Sequence, residues 1–363
     1  MKIRTLVITV AVLVVLSVLA YLGNRPEAAP SSDPRVGKPL LDADTATKAA
    51  RIVVSEKGKS VELDRGADGT WRVASYYGLP ADFEKIAHLV QDLNEAKLDR
   101  FVTSSADRLA HMEFGDSSIA LGDSSGKQIW SVSFGKAAES GNGKFVRFGT
   151  ENASFFSSLH VWLDTDPKSW ADTRLVTAKT DDVASVEIGF EGEAPVLASR
   201  ATKNAAWMAQ APAGSGLSQE KISSVVSSLT ALRFSDTVPV DDPSVAQAAG
   251  HTRSFKLTTF DGKTLSIAFS RKPEERKPKV APSPTPTPAV ADAKTDAKTE
   301  AKPAEPEFDT IPAGAVFIRV TSSDAHAPVN EAMKQRAFQI DDFTFTSLPQ
   351  KAGDLFKVPK AAK

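Results

Sequence analysis

The chain has 363 residues, of which 41% are hydrophobic and 25% charged, with a formal net charge of -1. At ~100–200 residues per domain this size suggests about two domains, and the composition is that of a globular protein, not a disordered, collagenous or multi-span membrane one. Near-zero charge gives no general attraction to nucleic acid or acidic lipid. The absence of cysteine excludes disulfides, thiolate metal sites, iron–sulfur clusters, cysteine nucleophiles and the acylated cysteine of a lipoprotein.

Lys2 and Arg4 precede residues 5–22, a run of 18 residues without a charge. As a helix rising ~1.5 Å per residue, such a run just spans a ~30 Å hydrocarbon core. Residues 1–23 therefore read as a single transmembrane anchor, in contact with the inner-membrane bilayer through residues 5–22. The basic flank stays cytoplasmic and places the bulk of the chain on the periplasmic, extracytoplasmic side. A cleaved signal peptide is the competing reading, but its apolar core is usually ~7–15 residues. Residues 24–48 read as a polar, Pro-containing stalk.

The rest of the chain carries an internal repeat, the signal to be sought before any motif. Trp71 and Trp207 lie 136 residues apart, and the same offset relates Asp82 to Ser218, Lys85 to Lys221, Ile86 to Ile222 and Leu93 to Leu229. It also holds for Ile119 against Phe255 and Gly126 against Gly262. KFVRF at 144–148 then matches VFIRV at 316–320 at an offset of 172, a gain of 36 residues in the second copy. The gain falls on residues 272–308, rich in Pro, Lys and Ala. That composition buries too little apolar surface to offset the cost of ordering it, so the segment is predicted to be a disordered insert between two strands.

The first module is predicted over 49–176 and the second over 182–357. Each begins with short alternating runs that read as strands, as at Ile52/Val54, Val61/Leu63 and Trp71/Val73. Asp68-Gly69 marks a tight turn between two of them. A helix is predicted from about Asp82 to Ala96, because Ile86, Leu89, Val90 and Leu93 fall at i, i+3, i+4 and i+7. Asp82 and its counterpart Ser218 suit the N-cap. Strands return at 118–122, 128–134 and 144–149. The fold class is α+β: two tandem copies of a module with a mostly antiparallel sheet and one main helix. Trp71, Trp207, Ile86, Leu93, Ile222 and Leu229 are the expected core anchors.

The search for chemistry yields little. Gly122-Asp123-Ser124-Ser125-Gly126 fits G-x-S-x-G, but a nucleophile elbow needs a strand before it and a helix after it. Here both flanks read as strand, so turn chemistry accounts for the residues. His88, His111, His160, His251 and His326 form no tight ligand pair. The doublets Asp181–Asp182, Asp241–Asp242 and Asp341–Asp342 sit at element boundaries, where turns and solubility explain them. There is no phosphate-binding glycine loop and no basic, aromatic-interleaved stretch for nucleic acid. No catalytic residue, cofactor or metal site is expected.

The basic–apolar N-terminus, the strand pair ARIVVSEKGKSVELDR, the strand GTWRV and Leu79-Pro80-Ala81-Asp82 opening a helix K-I-x-x-L-V-x-x-L that runs into LDRFV resemble the family of bacterial membrane-anchored proteins called domain of unknown function 4340. The insert at 272–308 departs from that pattern. The resemblance implies an accessory role in gliding-type ABC transport systems, with a permease or an auxiliary subunit as partner, and it carries no catalytic residues to transfer. The expected function is thus that of an extracytoplasmic interaction protein. The alternatives are a small-molecule or glycan-binding protein with a site between the modules, and an envelope-polymer hydrolase.

Overall fold

A computed structural model describes residues 33–137, 143–210, 215–278 and 308–357. The membrane anchor expected at 1–23 lies outside these residues. Among the described residues no helix is long and apolar enough to cross a membrane. The chain divides into two compact units, with the boundary between Asp172 and Thr173.

Unit 1 opens with a short helix α1 (Ala43–Lys48), then strands β1 (Arg51–Glu56), β2 (Lys59–Arg65), β3 (Trp71–Val73) and β4 (Leu79–Pro80). Helix α2 (Phe83–Glu95) follows, then β5 (Leu98–Thr103), α3 (Ala106–Ala110), β6 (Ser118–Gly122), β7 (Gln128–Ala137), β8 (Lys144–Phe148) and β9 (Ser154–Ser157). The strands form one sheet in the order β4-β3-β2-β1-β6-β7-β8-β9-β5, and every pairing is antiparallel. Alternation decides its buried face: Ile52 pairs with Leu63 and Leu121, and Val54 with Val61 and Ile119, all six buried.

Helix α2 buries Ile86, Leu89 and Leu93, the stripe that the spacing predicts. Asp82 is its N-cap, accepting from the Glu84 and Lys85 amides at 3.0 and 3.4 Å, a contact worth ~1 kcal/mol. Residues 33–48 correct the reading of a stalk. Leu40 and Leu41 are buried, and their amides donate to the carbonyls of Ala96 and Leu93. Two apolar residues among polar ones give no periodicity from which that packing could be read.

Unit 2 contains β10 (Val183–Gly189), β11 (Val196–Ser199), β12 (Met208–Ala209), β13 (Gly216–Leu217), α4 (Gln219–Thr230), β14 (Asp236–Pro239), α5 (Pro243–Ala248), β15 (Thr252–Thr259) and β16 (Thr264–Arg271). It continues through β17 (Glu275–Pro278), β18 (Phe308–Ile311), β19 (Val316–Ser322), α6 (Pro328–Gln335), β20 (Arg336–Ile340), α7 (Asp342–Ser347) and β21 (Phe356–Lys357). Its main sheet runs β12-β11-β10-β15-β16-β19-β20-β14, again antiparallel throughout. Helix α4 buries Ile222, Val225, Val226 and Leu229. Mostly antiparallel sheets with few helices make the chain α+β.

Two sequence expectations change here. The Ser218 side chain makes no cap bond; Ser218 is buried, and its amide donates to the Leu355 carbonyl at 2.9 Å. The insert expected to be disordered over 272–308 is ordered at its ends. Its two ends pair as an antiparallel ribbon, Glu275 with Ile311 and Pro278 with Phe308, while β16 and β19 pair directly with each other. Residues 279–307 lie outside the described residues.

Candidate binding groove

Each unit carries a tryptophan at a short strand two elements before its long helix, Trp71 opening β3 and Trp207 directly preceding β12, and the two are treated differently. In unit 2, Trp207 is only 6% exposed. The Arg200 guanidinium lies over its ring at 4.7 Å from the centroid. Arg200 is itself fixed by donating to the carbonyls of Val183, Lys203 and Thr180 at 2.7–2.8 Å. The Gln219 side chain then pins the tryptophan's backbone: Trp207 N–H donates to Oε1, and Nε2 donates to the Trp207 carbonyl, both at 2.7 Å.

In unit 1 none of these three closures recurs. Position 83 is the first residue of α2, as Gln219 is of α4, and it is a phenylalanine left 65% exposed. Arg65 pairs with Trp71 across β2 and β3, yet among the described residues its guanidinium makes only a long hydrogen bond, of 3.4 Å, to the Gly69 carbonyl. Trp71 is left half-buried, a correction to its expected place as a core anchor. Trp207, Ile86, Leu93, Ile222 and Leu229 are buried.

The result is a groove of about 560 Å³ between α1, α2 and the sheet. Ile52, Trp71 and Leu121 form its strand side; Phe83, Ile86, Ala87 and Val90 form its helix side. Polar groups enter only at Thr47, Arg65, Gln91, Asn94 and Glu95. Gln91 donates to Glu95 at 2.8 Å, so the amide and the carboxylate partly satisfy each other. Among the described residues no carboxylate ion-pairs with Arg65. A concave apolar surface of this size with few polar groups can bind a ligand.

The first turn of α2, which carries Phe83, is anchored from the far end of unit 1. Lys85 Nζ contacts Asp164 Oδ2 at 2.6 Å and donates to the Ser169 hydroxyl and carbonyl at 2.9 and 3.1 Å. The same ammonium lies 4.5 Å above the Trp170 ring, whose Nε1 donates to the Asp164 carbonyl at 2.9 Å. Burial pushes the Asp164 carboxyl up, but hydrogen bonds from Lys85, Ser169 and the Asp166 amide outweigh it and hold it below the usual aspartate value. Immediately upstream, residues 159–163 alternate: Leu159, Val161 and Leu163 are buried, and Trp162 is left 86% exposed.

The other sequence candidates stay apart. Ser124 is exposed in the β6–β7 hairpin turn, where Asp123 Oδ1 accepts from the amides of Ser125 and Lys127 at 2.9 and 3.0 Å and Gly126 has φ +84°. All five histidines are exposed. Among the described residues no group of three or more His, Asp or Glu could hold a metal ion. Of the aspartate doublets, Asp182 meets Lys203 at 2.6 Å, Asp242 caps α5, and Asp342 meets Arg271 at 2.6 Å. Sequence reading missed the groove; the signal for it was Phe83 at the position that the 136-residue offset sets against Gln219.

No curated protein and no solved structure matches the chain. A family model described as domain of unknown function (DUF4340) matches residues 71–249, from the Trp71 strand through α5. By that match residues 71–249 of the chain belong to the DUF4340 family.

Proposed function

We propose that the protein is a membrane-anchored, extracytoplasmic accessory protein of an ABC-type envelope transport system, built from two copies of one α+β module and acting by binding. The observation that carries the binding reading is the open groove of unit 1, with Phe83, Tyr77 and Trp162 exposed in the same unit. Large exposed aromatics are depleted on surfaces that meet only water and enriched where proteins meet.

Several details support the duplication. The order β3-β2-β1-β6-β7-β8-β9-β5 in one sheet corresponds strand for strand to β12-β11-β10-β15-β16-β19-β20-β14 in the other. Each unit ends in a one-turn 3-10 helix, Pro167–Trp170 or Ala352–Leu355, that pins the entry to its long helix. Asp82 N–H donates to the Trp170 carbonyl as Ser218 N–H does to that of Leu355, and Lys85 and Lys221 each reach the carbonyl one residue earlier. A side-chain contact repeated at equivalent places favours duplication over chance. The anchor rests on the uncharged run at 5–22.

Solubilisation of native membranes and affinity purification of the full chain tests this role. Recovery of a permease or auxiliary subunit, identified by mass spectrometry, is expected. Release of the chain by alkaline carbonate, or repeated purification without a transporter subunit, overturns it.

A further inference from the structure

We propose that the unit-1 groove binds a single-chain amphiphile, an acyl or comparably linear apolar body ending in an anionic head, with Arg65 receiving the head. Three observations converge. The lining on α2 is aliphatic and aromatic from Phe83 to Val90, a length of ~10 Å at ~1.5 Å per residue, with the polar Gln91, Asn94 and Glu95 beyond it. That shape and polarity suit an extended chain and leave a sugar or nucleotide few partners. Arg65 is the groove's single cation and has no ion-pair partner among the described residues, while the groove's carboxylate, Glu95, accepts from Gln91, so Arg65 is the charged group left to receive an anion. Finally, the corresponding place in unit 2 is closed by the Gln219 amide and the Arg200 stack on Trp207. The module can therefore seal this site, and in unit 1 each sealing contact is missing while Phe83 remains in water.

The proposal deepens the binding reading and uses the repeat only for the comparison with Trp207. It is separable from the transporter role, since loss of co-purification would leave ligand capture unchanged and the reverse also holds.

The test uses the full chain in phosphatidylcholine nanodiscs. A dodecanoate bearing a terminal diazirine is the probe, and the corresponding dodecylamine is the cationic control. After photolysis, adducts are mapped to residues by mass spectrometry. Adducts are expected to concentrate at Trp71 and residues 83–95, with the anionic probe favoured. Ala87→Phe, which fills the groove from an exposed helix position, should cut that labelling about tenfold or more. Arg65→Gln should cut dodecanoate labelling about fivefold and leave the amine unchanged. Phe83→Gln, at an exposed position that should not affect folding, supplies the sealing amide and should also lower labelling. Adducts without enrichment at the groove overturn the proposal. So does full labelling in a folded Ala87→Phe or Phe83→Gln variant, or a preference for the anion that survives Arg65→Gln.

Discussion

Replacing Asp164 with alanine tests how unit 1 holds the first turn of α2. The carboxylate is 23% exposed and accepts from Lys85 Nζ at 2.6 Å, Ser169 Oγ at 2.6 Å and the Asp166 amide at 3.0 Å. A hydrogen bond to a charged group contributes ~1.5–3 kcal/mol when well buried and less when part-exposed, so losing the set should cost about 2–3 kcal/mol. Lys85→Met should cost about 1–2 kcal/mol, because it loses the ion pair and the ~0.5–1 kcal/mol of the cation over Trp170. The two changes remove one shared contact, so the double variant should fall short of their sum by about 1 kcal/mol. Urea unfolding followed by tryptophan fluorescence measures all three. The pH dependence has a fixed sign. Asp164 is held below its unfolded value, so its contribution is fully present above pH ~4 and is lost as pH falls through the lowered value. Asp164→Ala should therefore flatten the acid limb of the stability curve. A cost below about 0.5 kcal/mol, strict additivity, or an unchanged acid limb would refute this reasoning.

Three further outcomes follow from burial and pairing. Leu93→Ala, at a position with no exposure, should destabilise by about 2–5 kcal/mol, against ~0.5 kcal/mol or less for exposed Phe83→Ala, by chemical denaturation. Gln219→Ala should cost about 1–2 kcal/mol by the same measurement and raise the solvent accessibility of Trp207 in acrylamide quenching, because it removes both bonds to the Trp207 backbone. Replacing residues 279–307 with a short turn between β17 and β18 should change stability by no more than ~1 kcal/mol, since β16 and β19 pair directly and loop closure depends only weakly on length.

Much of the secondary structure could be read from local chemistry. The α2 stripe and its Asp82 cap are short-range signals, and the helix appears at Phe83–Glu95, one residue inside each end of the expected span. The Asp123 turn and its flanking strands needed only alternation and turn residues. What escaped depends on distant partners. Ser218 looks like a cap, yet it is buried against the Leu355 carbonyl, 137 residues away. Leu40 and Leu41 gain their burial from the end of α2, which nothing near them in sequence announces. Trp71 and Trp207 share a local pattern but differ in burial, because the difference is made at position 83 or 219 on the long helix and by Arg200. A groove is the absence of such closures, so it becomes visible only once both units are folded.

The proposed role as a transporter accessory is tested most directly by placing a photocrosslinking amino acid at position 162, where Trp162 is 86% exposed, in the full chain in native membranes. Irradiation should yield a discrete adduct with a multi-span permease or auxiliary subunit of an ABC system. Adducts with lipid alone, with a soluble envelope enzyme, or none at all in cells that carry the transporter would contradict it.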